Sequence, residues 1–446
     1  MRLFKLSFMF LIILSGCTYQ KKSTEINMSA DNKAVKSSHN PDSTAVSVVH
    51  KIIPEKQITV GGNNSDIKGY TSLAIQTAID ALRESGNGGT VMLMPGHYDI
   101  IAPVRLYDNI TLTGSGSKTI LKKCKGLRSQ FTIDADYGEL KVTVADASGF
   151  RTGMGVAIFD DKQRSGWDLT TARITSIEDN TLYLDDYLLR DYVTANNGTL
   201  TNACSVIEAV EAHNVRISNL LVDGNSKTND MIDGCRAGGI YLHKVHNAIV
   251  ENVIVRNFNS DGISWQLTEF VTVRNSEVYG CSNSGLHPGT GSPYTTIEGN
   301  YSHDNNGYGL FICWRVRNGE VKNNTFSRNG RNGICTGHKD TDVLFTGNII
   351  RENEGDGINL RGEIPANAPH RSTFKKNIIE NNGTKEGGYG ISINCKAEGV
   401  VIEDNIIRNT GRGKQLAALY LYKSSLPAEM RNNTISGHKD GEVVKE

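Results

Sequence analysis

The chain has 446 residues, with 48 basic and 48 acidic side chains and no formal net charge. That balance excludes bulk attraction to nucleic acid or an anionic surface and leaves room only for a local charged cleft. Gly is abundant at 46 and Pro scarce at 9, which suits a turn-dense β protein of one large or two ordinary domains.

The chain begins "MRLFKLSFMFLIILSGC", with Arg2 and Lys5 before an apolar run that ends in small residues. This reads as a secretion signal at 1–17, too short for a stable membrane span. "LSGC" at 14–17 resembles the lipobox of bacterial lipoproteins, which implies that Cys17 is lipidated and anchors the chain to a membrane. The expected location is the outer membrane, at the cell surface or the periplasmic face. "TYQKKSTE" (18–25) lacks the acidic tract that often marks surface-exposed lipoproteins. Residues 18–55 are polar and read as a flexible tether. Seven further cysteines form no CxxC pair, so no zinc site is expected. Their number is odd, so at least one is unpaired, and small buried apolar residues are the expected role for most.

Next, "GYTSLAIQTAIDALRESGNGG" places Leu73, Ile75, Ala78, Ile79 and Leu82 near helical spacing, with Gly86 at the end. Further on, "G-apolar-x" segments recur at Gly239, Gly262, Gly285, Gly309, Gly333, Gly357 and Gly390. The steps are 23 or 24 residues until the last, 33, which reads as a coil plus a loop of about nine. A second series, Asn219, Asn252, Asn275, Asn300, Asn324, Asn348, Asn377, Asn405 and Asn433, follows strand-like runs and reads as one stacked ladder. A period of this length, holding short strands and few helices, predicts a parallel β-helix in which each turn buries its inner face on its neighbours.

The helix followed by "GTVMLMPGHYDI" resembles the start of the pectate lyase and polygalacturonase-like superfamily, where a helix covers the open end of a right-handed β-helix. The expected fold is therefore all-β, a right-handed parallel β-helix over 56–446 with an N-terminal capping helix. "VTVADASGFRTGMGVAIFD" and "ARITSIEDNTLYLDD" predict a β-rich insertion at about 139–200, and "ISNLLVDGN" (217–225) resembles the return to coils.

Strand alternation turns the repeat into geometry. Residues one and three after each Gly, such as Leu310 and Ile312, point inward. The residue before each Gly and those two and four after it point outward, among them Asp261, Tyr308, Asp356, His287, Phe311, Cys313 and Arg361. This face is expected to be a ligand groove, the alternative being that loops at 139–200 or 363–372 cover it as a second core. Phe311, Trp314 and Tyr308 offer flat faces for sugar rings, while Arg315, Lys339 and Arg361 can bind carboxylates. Asp356 is a further substrate-binding candidate.

"GLHPGTGS" and "GHKDTD" supply His287 and His338 as candidate bases, expected near Arg361, in a set suited to β-elimination on a uronic-acid polymer. Asp261 and Asp356 are four coils apart, roughly 19 Å, too far for a glycosidase pair; Asp340 and Glu363 are the better pair. "NSDGI" resembles the Asn-x-Asp motif of polygalacturonases and puts Asp261 on the groove. The paired acids expected on the next coil are missing, with Ser284 in their place, and the Gly-His-Gly and Arg-x-Lys motifs are out of register. The resemblance therefore speaks to fold more than to mechanism. No cofactor is indicated; calcium stays open, although the acids are not clustered as calcium-dependent lyases require. The expectation is a monomeric enzyme acting on a polysaccharide, with no nucleic-acid partner: a lyase ahead of a hydrolase, with a uronate epimerase behind. A non-catalytic glycan-binding or adhesion solenoid is the alternative.

Overall fold

Three short strands per coil, each with one apolar face, bury that face only by closing on each other around a common axis. The bends between them need left-handed backbone, and Asn and Gly supply it. At one bend of successive coils, Asn252, Asn275, Gly299, Asn323 and Gly347 all have φ between +48° and +66°. The computed structural model describes residues 56–446 except 363 and 424; the leader, Cys17 and the tether lie outside the described residues.

The described chain is a parallel β-helix of three sheets with 13, 11 and 11 strands. The sheet that carries the "G-apolar-x" strands, here called the front sheet, runs from Val104–Leu106 to Val443–Lys445. Its register is unbroken: Ile263 pairs with Leu286, Leu286 with Leu310, Leu310 with Ile334, and Ile334 with Ile358. All five are buried, as are the second inward column's Leu242, Ile312 and Leu360. Trp265, fully buried, donates its indole N–H to Thr295 Oγ1 at 2.9 Å, as a buried indole requires.

Helix Ser72–Glu84 lies at the N-terminal end, with Thr71 Oγ1 accepting from Ala74 N as its cap. Ala74, Ile75, Ala78, Ile79 and Leu82 are buried, whereas Leu73, expected with them, is 72% exposed. Between the front strands Val104–Leu106 and Ile207–Val210 the chain leaves the helix and forms a six-stranded antiparallel sheet over residues 128–201. That sheet packs its own core from Phe131, Val156, Leu182, Tyr192 and Leu200.

The stacked asparagines form two ladders. One runs Asn300, Asn324, Asn348, Asn377, Asn405, Asn433, each amide bonded to the next at 2.9–3.0 Å. The other runs Asn305, Asn329, Asn353, Asn382, Gln415. Asn219, Asn252 and Asn275, expected in the ladder, are instead the left-handed bend residues one position earlier. The ladder position in those coils is Leu220, Val253 and Ser276.

Candidate active site on the front sheet

Alternation sends Asp261, Ser264, Gln266, His287, Phe311, Cys313 and Arg361 to the outer surface of the front sheet. Most of them are nonetheless buried, because residues 230–237, between the Leu221–Asp223 and Ile240–His243 strands, fold across the early coils. Ser264 Oγ donates to Gly234 O at 2.6 Å and Tyr241 Oη donates to Cys235 O at 2.7 Å. Gly234 rests directly on the acid: a Cβ there would lie 1.6 Å from Asp261 Oδ2. The face is therefore part covered and part open: residues 230–237 cover the early coils, and the 139–200 insertion also reaches it, with Trp167 5.5 Å from His243 and Arg164 lining the cleft.

At the edge of that cover lies a buried ion pair. His287 Nδ1 donates to Asp261 Oδ2 at 2.7 Å, and the Ser284 N–H donates to Asp261 Oδ1 at 2.7 Å. Burial alone would lower the His287 pKa, but the Asp261 charge, its hydrogen bond and the nearby Cys313 thiol outweigh it and push it up to about 10. His287 Nε2 is buried and makes no well-directed hydrogen bond, although the Cys313 thiol is close enough to favour the imidazolium. A cleft opens here, lined by Arg164, Met231, Ile232, Asp261, His287 and Phe311.

Phe311 joins the two halves of the site. Its ring centroid is 5.0 Å from that of His287, it stacks on Tyr308 at 5.0 Å and 12°, and the Arg361 guanidinium lies 4.8 Å from its centre. Arg361 Nη2 donates to Ile312 O at 3.2 Å and lies 3.8 Å from Asp340 Oδ2. Asp261, His287, Phe311, Tyr308 and Arg361 thus form one group.

Apart from Asp340, which meets Arg361, the remaining candidates lie away from this group. Trp314, 46% exposed, stacks on His338 at 4.3 Å, with Arg315 at 5.9 Å from its ring. His338 therefore does not join His287. Lys339 is exposed on the next bend. Asp340 is fully buried and holds backbone: Oδ1 accepts from Val316 N at 3.0 Å and Oδ2 from Gly337 N at 2.9 Å. Glu363, its proposed partner, lies outside the described residues. Asp356 accepts from Tyr389 N and Ser392 Oγ, and burial raises its pKa. Among the described residues, no group of three or more His, Cys, Asp or Glu side chains could hold a metal ion.

Strand alternation placed Cys313 and Gln266 on the outward column but gave neither a role, and the 230–237 cover was not foreseen. One signal was present: Gly289, Cys313 and Gly337 stand consecutively in one outward column, where glycines leave space on both sides of a thiol.

The family model described as "Right handed beta helix region" matches residues 191–363 and 296–445, together more than half of the chain. Among solved structures, the chain is similar to the Azotobacter vinelandii mannuronan C-5 epimerase AlgE4 A-module, with 18% identity and a TM-score of 0.57. That match covers 84% of this chain and 87% of that one. It is also similar to the Streptococcus pneumoniae surface protein and adhesin PfbA, with 14% identity and a TM-score of 0.51, covering 84% and 96%. At these identities the likeness is one of fold. No curated protein matches the chain.

Proposed function

The chain belongs to the right-handed beta helix family, and from that premise we propose that its front sheet is the active site of an enzyme that cleaves an acidic polysaccharide by β-elimination. One observation carries the reading: a buried Asp261–His287 pair at 2.7 Å, joined through Phe311 to a guanidinium. Arg361 neutralises the uronate carboxylate, which makes the adjacent ring proton more acidic. His287, held in one orientation by Asp261, removes that proton, and Phe311 and Tyr308 support the sugar ring. Likeness to a protein titled as acting on mannuronan, a uronate polymer, supports the substrate class. Epimerisation begins with the same proton removal and is the second reading. The chain is further proposed to be a secreted lipoprotein anchored through Cys17 to the outer membrane.

The test is to incubate the purified chain with uronate-containing and neutral polysaccharides and follow two signals. Ultraviolet absorbance of an unsaturated uronate rising together with reducing ends is the expected result, and Arg361→Ala should lower the rate roughly 10²-fold or more. Because His287 must be neutral to act as a base, the rate should climb with pH toward about 10. Reducing ends without absorbance would mean a hydrolase. Solvent deuterium entering the sugar without cleavage would mean an epimerase. Binding with none of these would leave a non-catalytic glycan-binding or adhesion solenoid.

A further inference from the structure

Cys313 is a nucleophilic side chain that elimination does not use. It lies on the outer surface of the front sheet, bridged to Gly289 of the preceding coil and followed in the same column by Gly337. A Cβ at Gly289 would lie 2.4 Å from Gln266 Oε1, and one at Gly337 would lie 2.7 Å from Arg361 Nε. The two glycines leave room for Gln266 on one side of Cys313 and for Arg361 on the other. Arg361 Nη1 is 3.9 Å from Cys313 Sγ. On the third side stands His287, its Nδ1 held by Asp261, and the Cys313 thiol favours its protonated ring.

Three buried polar atoms on the residues around this column make no hydrogen bond: His287 Nε2, Gln266 Oε1 and Arg361 Nε. Gln266 is fully buried and His287 is 4% exposed. Of the three, His287 lines the cleft, and an open buried group at a cleft marks where a ligand supplies the partner.

We propose that Cys313, His287 and Asp261 act as nucleophile, base and orienting acid in a second reaction, the removal of acyl ester groups from a glycan through a thioester on Cys313. The Cys313 proton passes to His287 Nε2 as Sγ bonds to the ester carbonyl carbon, and the carbonyl oxygen takes the negative charge facing Arg361. The carbon–oxygen bond to the sugar then breaks, and the imidazolium returns its proton to the leaving sugar oxygen. A water molecule, deprotonated by His287 and positioned through Gln266 Oε1, attacks the thioester. This releases the carboxylic acid and restores the thiol. Only water is consumed. The sugar half of the substrate rests on the carbohydrate reading above; the acyl chemistry does not.

The other front-sheet and core thiols are poor competitors. Burial pushes Cys204 up to about 11 and Cys281 and Cys335 up to about 12. Cys124 is partly exposed and serves as the control for adventitious acylation.

The test uses the full chain with p-nitrophenyl acetate and, in parallel, an O-acetylated polyuronate. After acid quenching, peptide mass mapping of the wild-type chain should place one acetyl group on Cys313, with a matching burst of nitrophenolate. Cys313→Ser and Cys313→Ala should lose the burst and the thioester, while Cys124→Ser keeps both. Asp261→Asn should slow acylation roughly 10²–10⁴-fold. As a positioning residue it should also move the acidic limb of the pH profile, the rise toward about 10, to lower pH, since it faces His287 together with Cys313, Cys235, Asp233 and Arg164. A purely structural role would not move that limb. No acetyl on Cys313 in the wild-type chain, an acetyl on Cys124 instead, or an undiminished burst in Cys313→Ala would overturn the proposal. The acetyl on Cys313 and the nitrophenolate burst are read without a uronate substrate, so they succeed or fail independently of the elimination signal.

Discussion

Asp261 is a carboxylate without solvent contact, and it can stay charged there only because one oxygen meets a backbone N–H and the other an imidazolium. The pair therefore belongs to stability as well as to chemistry. Folding raises His287 from an ordinary 6.5 to about 10, so between those values the folded chain holds a proton that the unfolded chain has released. Its stabilisation is complete below about 6.5 and is lost as pH rises through about 10. Thermal unfolding followed from pH 6 to 10 should show a falling midpoint that flattens in His287→Gln; an unchanged slope in that variant would dissociate the pair from stability. Gly234→Ala should expel the 230–237 cover, since its Cβ would meet Asp261 at 1.6 Å, and make Asp261 accessible to solvent. The outward positions of Asp261, His287 and Arg361 were legible from alternation alone. That they are buried was not, because the cover contains no periodic signal and its central requirement is a missing side chain.

Short strands of two to six residues cannot fix their own register, so each coil is pinned by the ladders beside it. Asn348 shows the arrangement. Its Nδ2 donates to Val321 O at 2.8 Å and to Asn377 Oδ1 at 2.9 Å, while its Oδ1 accepts from Asn324 N and Nδ2 at 3.0 Å. Asn348→Ala leaves several buried groups open and should cost about 3 kcal/mol, given about 1–3 kcal/mol for each unsatisfied group and partial relaxation. Asn275 occupies the exposed left-handed bend, and Asn275→Gly should change stability by less than about 0.5 kcal/mol. Denaturant midpoints of the two variants separate ladder from bend, and equal losses would contradict this assignment. The repeat length was readable because both columns carry Asn at the same period. That common residue type also hid the one-position offset at Asn219, Asn252 and Asn275. Bend and ladder both prefer Asn, for backbone conformation in one case and for stacking in the other.

A solenoid is stabilised by each coil on its neighbours, so its ends are weaker than its middle unless they are sealed. The N-terminal end carries Ser72–Glu84, whose Ile75, Ile79 and Leu82 are at most 1% exposed. At the other end the last strands of the three sheets, Glu429–Arg431, Thr434–Ser436 and Val443–Lys445, have no fully buried residue. The strands Leu344–Thr346, Ile349–Arg351 and Ile358–Leu360 each bury at least one, with neighbours on both sides. The candidate site lies over these and the preceding coils, away from the weak end. Native-state hydrogen exchange should follow this asymmetry. Amides of 429–445 should exchange at least about a hundredfold faster than those of 344–360, a difference of roughly 3 kcal/mol in opening free energy. The 128–201 sheet, with its own core, should open as a separate unit. Uniform protection from 57 to 445 would instead mean that the coils open together, and that the front sheet owes its rigidity to the whole stack rather than to its nearest neighbours.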